Sequence, residues 1–142
     1  MKYIGPNNFK VMNNKSRSSL RIGGRTIGQG CPTYIIAEAC DNHMGDIKVA
    51  REMALRAKLA GCDAIKFQHH LADEEMLPDA PTSDNFDEPL YDFLKRCALS
   101  IDQHQSILEY CKTIDIQYLC TPFSYKAAEQ LSDIGVEAIK IG

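Results

Sequence analysis

The chain has no Cys-x-x-Cys pair, no long apolar run and no basic excess, and each absence removes a class of function. Its six cysteines, Cys31, Cys40, Cys62, Cys97, Cys111 and Cys120, lack zinc-ribbon spacing, and no export signal accompanies them. Cys62, Cys97, Cys111 and Cys120 fall within the apolar pattern of helices and strands. Buried free thiols in a reducing compartment, most simply the cytoplasm, are therefore expected. No apolar stretch approaches ~18 residues, so the sequence offers nothing to span a membrane. Residues 1–19 contain Asn and Lys but no apolar segment, unlike a secretory leader, and read as a flexible N-terminal tail. With 16 basic and 19 acidic residues the net charge is −3, which supplies no field for nucleic acid.

What is present fits one ordinary soluble domain: 142 residues, 44% hydrophobic and 25% charged. Residues 20–30 alternate in character around Gly23-Gly24 and predict a β-hairpin with a primed turn. Strands and helices then alternate. Tyr34–Ala37 is a short apolar strand ending at Glu38. Asp46 caps a helix that runs to about Ala60, and Gly61 stops it. Ala64–Gln68 is the second strand. Pro89 starts a helical turn, with Leu90, Phe93, Leu94 and Cys97 at helical spacing. Ser100 and Gln103 form a capping box before a helix with Ile107, Leu108, Cys111 and Ile114 inward. Gln117–Cys120 is the third strand. A helix capped by Ser124 leads past Gly135 to a fourth, Glu137–Ile141. This order predicts an α/β fold with a parallel sheet and helices outside it.

A doubly wound sheet and a (β/α)8 barrel both fit that order. Only one glycine lies between Glu38 and Gly45, which weakens a dinucleotide-binding loop. Polar residues recur instead at the strand ends: Glu38, Lys66 with Gln68, Thr121, and Lys140. Those ends form the active face of a TIM barrel. A complete barrel needs about 250 residues, so residues 31–142 read as the N-terminal half of one. That half would hold about four strands and three helical units, truncated before the second half and preceded by the hairpin.

Two lysines carry most of the functional signal. In Ala64-Ile65-Lys66-Phe67 and Ala138-Ile139-Lys140-Ile141 a single cation sits among core residues. Alternation puts Lys66 and Gln68 opposite Ile65 and Phe67, and Lys140 opposite Ile139 and Ile141. Both ammonium groups should therefore point into the barrel at similar height and clamp an anion, unless each merely pairs with an acid such as Glu38. Glu38 is a candidate acid or base. Asn42 and His43 sit in the loop after the first strand, and Thr121 lies beside a helix start that suits phosphate or carboxylate. The segment from His69 to Glu88 is long and acid-rich, and most of its acids should face solvent or pair with outer basic residues.

The strings Ile35-Ile36-Ala37-Glu38, Asn42-His43-Met44-Gly45-Asp46, Ala64-Ile65-Lys66-Phe67-Gln68, Arg96-Cys97-Ala98-Leu99, Thr121-Pro122-Phe123 and Lys140-Ile141-Gly142 resemble the sialic acid (N-acetylneuraminate) synthase family over about residues 20–142. The resemblance implies a barrel that condenses phosphoenolpyruvate with N-acetylmannosamine or a related N-acylated amino sugar, releasing phosphate. It also implies that Lys66, Lys140 and Thr121 bind phosphoenolpyruvate and that Glu38 does acid/base work. Gln68, Asn42 and His43 would line the same mouth. A divalent metal, Mn or Mg, and a homodimer are implied for the complete enzyme. The metal ligands fall beyond this sequence, so the chain alone should be inactive. Asp41 stands where the family usually has an uncharged residue. Two other readings fit the residues: a noncatalytic half-barrel that assembles with another chain, and another sugar acid synthase using phosphoenolpyruvate.

Overall fold

The computed structural model of the chain describes residues 19–79 and 87–142. The expected tail lies outside the described residues except for Ser19, which opens the first strand. Strands β1 (Ser19–Ile22) and β2 (Arg25–Gly28) form the antiparallel hairpin. Gly23 and Gly24 at its turn have φ of +56° and +76°, the left-handed pair that a two-residue primed turn requires. The hairpin packs against the N-terminal ends of the parallel strands. The Gly23 N–H donates to Glu137 at 3.1 Å, Arg25 pairs with Asp63, and the Arg25 guanidinium lies 5.6 Å from the Tyr34 ring centre.

Strands β3 (Ile36–Cys40), β4 (Ala64–His69) and β5 (Gln117–Pro122) form a parallel sheet in chain order. Helix α1 (Ile47–Leu59) joins β3 to β4. Between β4 and β5 lie α2 (Ala72–Glu75), α3 (Leu90–Cys97) and α4 (Ile101–Thr113), and α5 (Tyr125–Asp133) follows β5. The expected caps are in place. Asp46 accepts from the Lys48 N–H, Ser124 accepts from Ala127, and Ser100 with Gln103 closes a reciprocal capping box. Each such cap stabilises its helix by about 1 kcal/mol.

One face of the sheet makes the core. Ile65, Phe67, Tyr118 and Cys120 meet Ala50, Ala54 and Ala57 of α1, Ile107, Leu108 and Cys111 of α4, and Leu131 of α5. The Phe67 and Tyr118 rings stack at 5.6 Å. The three long helices thus cover the same face, whereas a doubly wound sheet is covered on both. Glu38, Lys66, Gln68, Leu119 and Thr121 alternate to the other face.

Two strand expectations are corrected. The first strand starts at Ile36 and runs through Glu38 to Cys40, so Glu38 lies inside it and not at its end. Ala39, 1% exposed, continues the alternation into the core. The register then slips, with Glu38 opposite Lys66 but Cys40 opposite Phe67, so Ala39 is the extra residue of a bulge. The fourth strand is only a bridge from Ile139 to Cys120, with the Lys140 N–H donating to the Cys120 carbonyl at 3.0 Å. Among the described residues this run has a ladder partner on one side only. Ile139 and Ile141, expected against helices, are 41% and 80% exposed, so little apolar burial holds them. All six cysteines are free; Cys97, Cys111 and Cys120 are buried, while Cys62 is half-buried.

Candidate functional site

Among the described residues none of the three long helices covers the other face of β4, and this helix-free face carries the chemistry. Lys66 pairs with Glu38 across the β3–β4 ladder at 2.6 Å, and their side chains are 12% and 54% exposed. The cation is thus largely withdrawn from water while the carboxylate remains hydrated. Gln68 lies two residues on, directly opposite Thr121, which is 3% exposed. Glu38, Lys66, Gln68 and Thr121 are therefore brought onto one surface toward the C-terminal ends of the strands.

Lys140 follows the bridge at Ile139 and its side chain is exposed, with no ion pair to another described residue. A Cβ on Gly142 would come within 3.6 Å of the Thr121 methyl, so this terminal run passes beside Thr121. Asn42 is exposed and donates from its side-chain amide to the Ala39 carbonyl at 2.9 Å, which ties the loop to the bulge. His43 lies in the loop after the first strand as expected, but its side chain turns inward. It is 1% exposed, its Nδ1 accepts from the Gly45 N–H at 3.1 Å, and its ring lies 6.0 Å from that of Phe67. Burial pulls its pKa below the ordinary histidine value, with Asp41 opposing.

A second polar cluster adjoins the first. His70, 6% exposed, sits with Nδ1 2.8 Å from Glu75 and Nε2 3.3 Å from Asp41 and 3.1 Å from Gln68. Its ring stacks on Phe123 at 4.3 Å. Burial pulls the His70 pKa down, but hydrogen bonds to Asp41 and Glu75 outweigh it and carry the pKa above its usual value. Sequence reasoning passed over His70 and sent the loop acids outward. Asp73, Glu74 and Glu88 do pair outward, with Lys95, Lys126 and Arg96. Glu75 does not. The available signal was Asp41 itself, an acid in a loop that also enters the mouth.

Behind the sheet, His104 bonds the Tyr118 hydroxyl at 2.7 Å and meets the His69 ring edge-on at 4.6 Å. Burial, then the neighbouring histidines, lowers the His104 pKa to about 3. These rings are neutral core residues. A cavity of about 450 Å³ lies at the opposite end of the strands between the hairpin and Lys112. Arg25 and Lys58 on its wall are already paired with Asp63 and Asp115, which leaves Lys112 as the wall cation without an ion pair among the described residues. Among the described residues no group of three His, Cys, Asp or Glu side chains is arranged to hold a metal ion.

A family model described as the NeuB family matches residues 53–142, more than half of the chain. The chain belongs to the NeuB family. Among its relatives, an uncharacterized protein of Methanocaldococcus jannaschii is 34% identical over 122 residues, covering 86% of this chain and 34% of that protein. The N,N'-diacetyllegionaminic acid synthase of Legionella pneumophila is 33% identical over 135 residues, covering 87% and 37%. The crystal structure of an N-acetylneuraminic acid synthetase from Leptospira borgpetersenii, in complex with citrate, superposes with a TM-score of 0.74 at 30% identity, covering 88% of this chain and 41% of that one. This NeuB family chain thus spans about a third of the length of the curated relatives it matches. Among its described residues no helix is long and apolar enough to cross a membrane.

Proposed function

We propose that this chain provides the phosphoenolpyruvate-binding part of a nonulosonic acid synthase, a transferase joining phosphoenolpyruvate to an N-acylated amino sugar such as N-acetylmannosamine. The observation that carries this reading is Lys66, a nearly buried cation on the helix-free face, held by a single hydrated carboxylate. Chain-order strands covered on one face would form an arc of a (β/α)8 barrel, with that surface inside. The names of the synthase relatives support the reaction class.

In the reaction, C3 of phosphoenolpyruvate bonds to the aldehyde carbon of the open-chain sugar. Water adds at C2, and the C2–O bond to phosphorus breaks, leaving a 2-keto acid and inorganic phosphate. Lys66 and Lys140 would face the phosphate and carboxylate of the guest, where charge-assisted hydrogen bonds are strongest. The Thr121 hydroxyl would donate to the same anion. As Lys66 turns toward the guest, the Glu38 carboxylate is released to move the proton of the attacking water or of the departing phosphate. Asn42 would hold the β3 loop in shape, and His43 would support it from the core. Among the described residues no group of side chains is arranged to hold the divalent metal of such enzymes. In this reading its ligands, the sugar site, the remaining barrel and the homodimer contacts belong to parts present in the longer relatives, and the setting is the cytoplasm.

The test is a phosphoenolpyruvate titration followed by backbone amide NMR. Shifts should concentrate at Lys66, Gln68 and Thr121. Shifts confined to the opposite cavity around Lys58 and Lys112 would overturn the placement.

A further inference from the structure

We propose that His70 is a positioning residue: clamped between Asp41 and Glu75, it turns the Gln68 side-chain oxygen toward itself, so that Gln68 presents only N–H donors to an anionic ligand. The inference deepens the proposed function and rests on its assignment of Gln68 to the ligand mouth.

Carboxylates only accept hydrogen bonds, and a bare ring nitrogen facing one is repelled. Glu75 Oε2 lies 2.8 Å from His70 Nδ1, and Asp41 Oδ2 lies 3.3 Å from Nε2. Both nitrogens must therefore carry protons, which makes the ring an imidazolium. Nε2 also faces the Gln68 side chain at 3.1 Å. A ring N–H can meet only the amide oxygen there, so the two Gln68 N–H groups are left for the mouth.

The clamp is itself fixed. Glu75 uses its second oxygen to accept the Leu71 N–H at 2.5 Å, and its side chain is 5% exposed. Asp41 is also buried, and the ring is stacked on Phe123. The other charges facing His70 do not compete for it. Asp73 with Lys95 and Glu74 with Lys126 are paired at the rim of the adjoining 250 Å³ cavity. His69 and His104, on the core side of β4, are held neutral by burial. An imidazolium beside two carboxylates leaves one net negative charge near an anion site. A Gln68 oxygen in the mouth would add to that repulsion, whereas its N–H groups oppose it.

Side-chain NMR on the 142-residue chain tests this. At pH 7 both His70 ring nitrogens should show imidazolium shifts. The Gln68 NH2 signals should move as His70 loses its proton at higher pH. Phosphoenolpyruvate affinity should fall about tenfold through the same midpoint, the worth of one hydrogen bond to a charged group. Glu75→Gln should shift the His70 midpoint and the affinity break together to lower pH, which a purely structural role would not do. A neutral His70 at pH 7, or Gln68 signals indifferent to its titration, overturns the assignment. If Gln68 follows His70 but phosphoenolpyruvate binds at neither pH, the clamp stands and the proposed function falls.

Discussion

Replacing Lys66 by Met removes one charge from the helix-free face and keeps most of the side chain's length, so the effects on stability and on ligand can be separated. The Glu38 partner is 54% exposed and can return to water when the ammonium is gone. The loss therefore belongs nearer the exposed ion-pair range, about 1 kcal/mol or less, than the ~3–5 kcal/mol of a fully buried pair. The ligand effect should be larger. A hydrogen bond between charged groups contributes about 1.5–3 kcal/mol, so the dissociation constant for phosphoenolpyruvate should rise roughly 10- to 150-fold. Isothermal titration calorimetry on both chains measures this, and urea unfolding followed by circular dichroism measures stability. Lys58→Met serves as the control, because Lys58 is paired with Asp115 beside the opposite cavity. Affinity unchanged within threefold, or stability lowered by more than about 3 kcal/mol, would make Lys66 a structural lysine and refute the reasoning.

Three further outcomes are expected. The chain alone, given phosphoenolpyruvate and N-acetylmannosamine, should release no phosphate above background in a colorimetric assay; turnover would show that the parts seen only in the longer relatives are dispensable. His104 has a folded pKa of about 3 against an ordinary 6.5, so the unfolded chain binds the extra proton between those values. Its contribution is complete above pH 6.5 and is lost at about 1.4 kcal/mol per pH unit as the pH falls toward 3. His43 and His69, also lowered, add to this slope, whereas the raised His70 opposes it. His104→Gln should flatten the dependence of the urea midpoint between pH 6.5 and 5, and an unchanged slope would contradict the buried neutral ring. Finally, Gly23→Ala should cost more than Gly24→Ala. Both residues have positive φ, but a Cβ at Gly23 meets the Gln117 side chain at 2.5 Å and one at Gly24 meets nothing. Each should lose roughly 1 kcal/mol from backbone strain, and equal losses would mean that the Gln117 side chain swings aside at little cost.

Local signals in the sequence were strong where one residue decides the geometry. Gly23-Gly24, Asp46, Ser100 with Gln103, and Ser124 each specify a turn or a cap by their own chemistry, and all are found in those roles. Alternation also placed Lys66 and Gln68 opposite Ile65 and Phe67 correctly. What failed depends on partners distant in sequence. The bulge at Ala39 follows from register against β4, and no local residue announces it. The fourth strand has good strand residues but a neighbour on one side only among the described residues, so propensity overstated it. Acidic loops usually face water, yet Glu75 turns inward because the His70 ring and the Leu71 N–H offer it two donors, one to each carboxylate oxygen. His43 is adjacent to the mouth in sequence, but its side chain fills the core beneath Phe67.

The Glu38–Lys66 pair implies a competition that gives the sign of one more effect. Before the ligand arrives, Lys66 is already balanced by Glu38 at 2.6 Å. Phosphoenolpyruvate must therefore draw the ammonium away from an internal carboxylate and settle near that carboxylate's own charge. Glu38→Gln abolishes both obstacles while keeping the side chain's shape. It should tighten phosphoenolpyruvate binding, by up to about fivefold if the pair is worth what exposed pairs usually are. An acid/base group that acts only on later intermediates is not needed for this binding, so tighter binding would coexist with lost turnover in any longer active form. Weaker binding in Glu38→Gln would place Glu38 among the groups that hold the ligand, through a proton it donates, and the release of its carboxylate could no longer be the link between binding and proton transfer.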